Sequence, residues 1–473
     1  MSQEKKTKVF LFFLSSTIFL LSCGDWLSVQ PSNAVTEEKL FSTREGFFQA
    51  LNGIYLELNS PSLYGETLLC SDIEIMAGVY AVSGNNADYL DMAGYKYSRQ
   101  YPKRVFQAVW DKAYELILGI NNILAKAEGK KDVLGEYYDL YTGELYALRA
   151  FLHFDILRLF GPLMLAGTAN DNSIPYKMGN TVKTDPLLPV TEVFLHLVKD
   201  LETAEKAVAK DPVITQGPHA DNKRHGFFQN RNLRMNYYAV KGLQARVYLY
   251  AASCMPEYRQ KAFESAYEII RENDAKEWFP FVLPAEVLGS SPDRVFTSEI
   301  LFMLQNNKRG NIFKKFFQPS ISMKHILAPS NEFLADLYVD TDYRYRPLWL
   351  ASNEKNFRCL YKYAFVENGK SNDMVPMIRL SEIYLIAAET APDKLQAMKI
   401  LNEFVLNRYS RQVSRVEELE EAIEKEYRRE FFAEGQLFFY YKRKNKKLIP
   451  GIQMTMEPEF YVVPLPESEV KYR

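Results

Sequence analysis

The chain has 473 residues, of which 47% are hydrophobic and 25% charged, the make-up of a globular protein with a large core. Lysine plus arginine total 58 against 59 aspartate plus glutamate, a formal net charge of -1, so no basic surplus points to nucleic acid as a partner. Aromatic content is 14%, with 31 Tyr and 31 Phe; most must pack the core, leaving a minority to face a ligand.

The first element is a leader. Lys5, Lys6 and Lys8 precede an apolar run over residues 9–21, and Ser22-Cys23 follows. A basic start, a short apolar stretch and a small residue at the processing point are the parts of a secretory signal. Thirteen residues are too few to cross a bilayer, which takes about 20 in a helix. Cysteine directly after Ser22 resembles a bacterial lipoprotein signal, in which Cys23 is acylated and becomes the new N-terminus. Residues 1–22 are thus expected to be signal and 23–36 a lipid-anchored tether, with more than one acyl chain needed for stable anchoring.

Apolar residues at three- and four-residue steps (Leu40, Phe47, Leu51, Ile54, Leu58) predict helix over 37–57, interrupted near Thr43 and Gly46. Residues 63–103 differ: they are rich in Gly, Asn, Asp and Tyr and read as a long, exposed loop. Helices are predicted over 105–127, 135–160, 191–209, 234–252, 256–273, 379–391, 393–408 and 416–434. Gly161-Pro162 supplies a stop, and Pro256 suits a first turn. The pairs at 234–273 and 379–408 loosely resemble tetratricopeptide units. Residues 296–305 carry a strand-like apolar run, and Pro464 and Pro466 keep the tail extended. The expected fold is mainly α, with helix pairs, long loops and a few short strands, divided as an N-terminal region 37–275 and a C-terminal region 276–473.

Signals for chemistry are sparse. The five histidines include no HExxH or other paired spacing, there is no GxSxG, and no phosphate loop occurs. No catalytic residue, metal or cofactor is therefore expected. His219 and His225 share a polar loop without further ligands. Asp72 with Glu74, and Asp88 with Asp91, are the weak candidates for a glycosidase acid pair. Leaving Cys23 aside, Cys70, Cys254 and Cys359 are too irregularly spaced for a disulfide framework and read as free thiols, with one bridge possible. The basic run at 442–447 reads as a solvated helix end. Within the 63–103 loop, Asp72, Tyr80, Asn86, Tyr89 and Tyr95 combine flat rings with amide and carboxylate groups. That pairing suits the CH face and hydroxyl rim of a sugar, although a loop packed on the helices or on another protein would have the same composition.

Several segments carry a resemblance: CGDWL at 23–27, LYALRAFLHFDILRLFGP at 145–162, KGLQARVYLYAA at 241–252, PMIRLSEIYLIAAE at 376–389, EYRREFFAEG at 426–435 and PLPE at 464–467. In this order the chain resembles the SusD/RagB family of outer-membrane nutrient-binding lipoproteins. The resemblance implies a helical tetratricopeptide-like scaffold, no catalysis, a surface-exposed position at the outer membrane, and delivery of oligosaccharide or peptide to a SusC-like, TonB-dependent transporter. A protein-binding helical adaptor is the other class of function open to such a chain, and a secreted hydrolase with unrecognised acids a third.

Overall fold

The computed structural model describes residues 37–219 and 226–471. The expected leader, Cys23 and the tether lie outside them. The described residues up to Phe47 form one unit. In it α1 (Glu37–Leu40) is followed by the start of α2 (Arg44–Glu57), with the rings of Phe41 and Phe47 at 5.0 Å. The interruption expected near Thr43 is present.

The second unit, from Phe48, is mainly helical. Its long elements are α3 (Asp72–Met76), α4 (Ala87–Ala93), α5 (Gln100–Glu128), α6 (Tyr138–Phe160), α7 (Val190–Ala207), α8 (Tyr237–Ala251) and α9 (Glu257–Lys276), then α10 (Leu380–Thr390), α11 (Lys394–Leu406), α12 (Leu419–Glu430) and α13 (Leu437–Arg443). Three helix pairs, α6 with α7, α8 with α9 and α10 with α11, pack in series through α7 on α8 and α9 on α10. This is the paired-helix scaffold the periodicity predicts. Two antiparallel pairs of strands complete it: β1 (Ile300–Gln305) with β4 (Met374–Arg379), and the hairpin of β2 (Trp349–Ser352) and β3 (Lys355–Leu360).

α6 departs from a one-faced helix. Besides its leucines, Arg149, His153, Asp155 and Arg158 are buried, and each is matched, as buried polar groups must be. Arg149 grips Asp200 with two hydrogen bonds of 2.6 and 2.7 Å. Asp155 accepts from Tyr64 at 2.7 Å and from Arg158 at 2.8 Å. The Lys177 N–H donates to His153 Nε2, so Nδ1 carries the proton toward the Arg149 carbonyl; burial lowers the imidazole to about 3 and keeps it neutral. Similar pairs join helices that are remote in sequence. Arg246 of α8 meets Glu382 of α10 at 2.6 Å, and Arg443 of α13 meets Glu389 at 2.6 Å.

Two expectations are corrected. Residues 63–103 are not an exposed loop: they contain α3 and α4, and α5 begins at Gln100. Asn86 caps α4, its side chain accepting from the Tyr89 N–H at 3.1 Å, a local signal that overrides the weak periodicity. Nor is 442–447 a solvated end. Lys442 is buried and donates to the Gly161 carbonyl at 2.6 Å, while Lys444 and Lys446 pair with Glu420 and Glu424. Cys70, Cys254 and Cys359 are free thiols.

Gly435 holds the chain where the α12–α13 connection meets residues 63–76. Its φ is +70°, and a Cβ there would sit 1.9 Å from the Leu68 carbonyl oxygen. Gly435→Ala is therefore expected to lose more than the ~1–3 kcal/mol of a strained left-handed residue, seen as a lowered midpoint in thermal unfolding.

Candidate functional site

An open cleft of about 800 Å³ is framed by three stretches that end or begin at strands. The first is the turn after β1, where residues 310–317 coil into a short helical segment. The β2–β3 hairpin supplies the second wall and the loop leading into β4 the third. Backbone hydrogen bonds tie these walls together: Asn306 N–H to the Asp373 carbonyl at 2.6 Å, and Tyr361 N–H to the Leu348 carbonyl at 2.8 Å. Asn372 braces the loop internally, accepting from Val366 N–H at 2.9 Å and donating to its carbonyl at 2.7 Å.

Phe365 lies in this cleft with 73% of its surface exposed. A phenyl ring left in water forgoes the roughly 2–3 kcal/mol its burial would give. Beside it, the rings of Phe313 and Tyr361 are 4.9 Å apart and tilted by 48°, and the Arg294 guanidinium lies 5.6 Å from the Tyr361 ring centre. Asn307, Asn311, Lys308, Lys314 and Asp373 add polar groups. A flat apolar face edged by amides and charges is chemically suited to a small, hydroxyl-rich ligand.

The residues singled out from sequence do not line this cleft, and most of them lie inside the protein. Asp72 is buried and accepts from Tyr101 Oη at 2.8 Å and Ser71 Oγ at 3.0 Å; burial pushes its carboxyl up. Tyr80 donates to the Cys70 carbonyl at 2.8 Å. Asn86 donates to the Lys324 carbonyl at 2.9 Å. Tyr95 donates to the Met76 carbonyl at 2.6 Å and stacks on Phe460 at 5.4 Å. Of the five, Tyr89 alone is partly exposed. An ion pair between Lys315 and Glu66 links this segment to the turn that lines the cleft.

Members of the weak acid pairs are likewise committed, apart from Asp88, which is exposed. Glu74 is buried and accepts from the Gly435 N–H at 2.8 Å, and Asp91 meets Lys96 at 3.3 Å. His219 lies 3.4 Å from the Asn232 amide, and His225 falls outside the described residues. Among the described residues no group of three His, Cys, Asp or Glu is placed to hold a metal, and no helix is long and apolar enough to cross a membrane.

The cleft's own residues escaped the sequence reading because they come from separate stretches. The available signal was Phe365, an aromatic residue entering the polar run Glu367–Asn372.

Two family models match the chain. One, described as starch-binding associating with outer membrane, covers residues 25–222; the other, of the SusD family, covers 351–455. The chain belongs to the SusD/RagB family. SusD-like protein P38 of Formosa agariphila is 27% identical over 216 residues, 44% of this chain and 38% of that protein. SusD-like protein P2 of the same organism is 24% identical over 208 residues, 43% of this chain and again 38% of the relative. The match thus spans less than two fifths of either relative. Among solved structures, surface glycan-binding protein A from Bacteroides uniformis superposes with a TM-score of 0.71 at 17% identity, covering 91% of this chain and 98% of that one. A SusD superfamily protein from Bacteroides thetaiotaomicron gives 0.68 at 21%, with the same coverages. At these identities the likeness is one of fold. In this SusD-family chain the cleft wall at 294–319 lies between the two matched regions, whereas the wall at 352–373 falls within the second.

Proposed function

We propose that the protein is a non-catalytic, surface-exposed lipoprotein of the outer membrane, anchored through Cys23, that captures oligosaccharide and passes it to a SusC-like, TonB-dependent transporter. The observation that carries the reading is Phe365, exposed to 73% in a cleft of about 800 Å³ edged by amides and charges. An exposed ring offers stacking to a sugar face at no cost to the core. Tyr89, partly exposed, is a second proposed sugar contact outside the cleft, on a segment whose Asp72, Tyr80, Asn86 and Tyr95 are buried. The family model named for starch binding at the outer membrane and the glycan-binding structural relative favour carbohydrate over peptide.

Isothermal titration of the acyl-free protein with a panel of oligosaccharides should show binding, with the sugars recovered unchanged. Phe365→Ala should weaken that binding about tenfold, the worth of one aromatic contact of ~1.4 kcal/mol, and leave the thermal midpoint unchanged. Absence of binding across the panel, together with recovery of a partner other than a TonB-dependent barrel, would favour the adaptor reading.

A further inference from the structure

Resting on that reading, we infer that the cleft selects acidic oligosaccharides, sugars bearing carboxylate or sulfate groups. Three cations line it, Arg294, Lys308 and Lys314, and none forms an ion pair among the described residues. Lys315, one position on, shows the contrast, since its charge is met by Glu66. In a chain whose formal charge is -1, unpaired cations gathered in one concavity mark a place prepared for an anion.

Arg294 is the most specific of the three. It is half-buried, Nε donates to the Pro347 carbonyl at 2.8 Å, and the guanidinium lies against the Tyr361 ring. Its two terminal nitrogens make no hydrogen bond among the described residues, which leaves the planar edge that takes a carboxylate or sulfate through two parallel hydrogen bonds. Lys308 and Lys314 are exposed and sit on the turn at the opposite end of the same wall segment. The cleft also holds two acids, Asp373 and Glu354, without ion-pair partners among the described residues. Carboxylates need donors, and the hydroxyls of an acidic sugar supply them beside its anionic groups, whereas the ionised side chains of a polyanionic peptide carry none. Cations, lone acids and an exposed phenyl together fit a sugar that is itself acidic.

The test titrates the acyl-free protein with oligogalacturonate (carboxylate), chondroitin sulfate oligosaccharides (sulfate), carboxyl-reduced oligogalacturonate, malto-oligosaccharides and polyglutamate. At least one acidic glycan should bind about tenfold or more tightly than its reduced or neutral counterpart, with an affinity that falls as salt rises. Arg294→Gln and the double variant Lys308→Gln/Lys314→Gln should each cut acidic-glycan binding about tenfold and lower that of the reduced sugar by a clearly smaller factor, whereas Phe365→Ala weakens both alike. Circular dichroism and thermal midpoints check that the variants fold. Equal binding of neutral sugars, charge variants without effect, or polyglutamate binding as tightly as glycan would each overturn the inference. In the first two cases sugar binding lost with Phe365→Ala would still uphold glycan capture, while no sugar binding of any kind would remove both.

Discussion

Glu430→Ala is expected to destabilise the protein by about 3–5 kcal/mol, the cost of removing one partner from a buried ion cluster. Glu430, on the last turn of α12, is buried and contacts three buried arginines. Its carboxylate accepts from Arg379 at 2.5 Å, Arg344 at 2.8 Å and Arg408 at 2.9 Å. Further acids support the cluster. Arg344 also meets Asp342 and Glu426, Arg408 also meets Glu299, and Arg379 also meets Glu434. Alanine at 430 leaves three guanidiniums short of charge in a site water does not reach. Urea denaturation should show the loss as a lowered midpoint, and Glu421→Ala, which breaks an exposed pair with Lys425, should barely move it. The three arginines hold the Glu430 carboxyl well below its ordinary value of 4.5. Its contribution is therefore present above the unfolded value and lost as pH falls through the lower folded one, so the variant should lose part of the acid limb of the stability profile. A midpoint for Glu430→Ala equal to that of the wild type would show that the cluster contributes little net stability.

Glu74→Gln should do the opposite and raise stability at neutral pH and above. Glu74 lies fully buried on α3; one carboxyl oxygen accepts from the Gly435 N–H, and the other has no hydrogen-bond partner among the described residues. Burial raises its pKa from 4.5 to about 8, against the smaller lowering effects of the Gly435 N–H and Lys362. Between those two values the folded protein holds a proton that the unfolded chain has released. Wild-type stability should therefore fall by about 1.4 kcal/mol per pH unit across this window from this group alone, and level off above it. Glutamine keeps the acceptor for Gly435 and removes the ionisation. The variant should match the wild type below the window and exceed it by a few kcal/mol, on the order of 4, at pH 8. Parallel pH profiles for the two proteins would rule out this account.

The helical scaffold was legible because its signals are local. Leu145, Leu148, Leu152, Ile156 and Leu159 recur at helical steps, Gly161-Pro162 stops the run, and α6 ends at Phe160. β4 was not legible as a strand: its residues, containing Pro376, run straight into the apolar helix α10, and their partner β1 is distant in sequence. Lys442 read as solvated because lysine usually is, and only the packing of α13 brings it to the Gly161 carbonyl. Tyr80 and Tyr95 illustrate the same limit at the site. A loop rich in tyrosine and asparagine has one composition whether its hydroxyls meet a sugar or its own backbone, and here they meet the backbone.

The order of residues by itself determined the helix pairs, the family motifs and the lack of any catalytic signature, since these rest on periodicity and spacing within short windows. Tertiary structure alone decided which charges are buried together, as at Glu430 with Arg344, Arg379 and Arg408, and which aromatic ring stays in water, as at Phe365. Both depend on stretches far apart in the chain meeting in space, and accessibility and charge pairing have no meaning until they do.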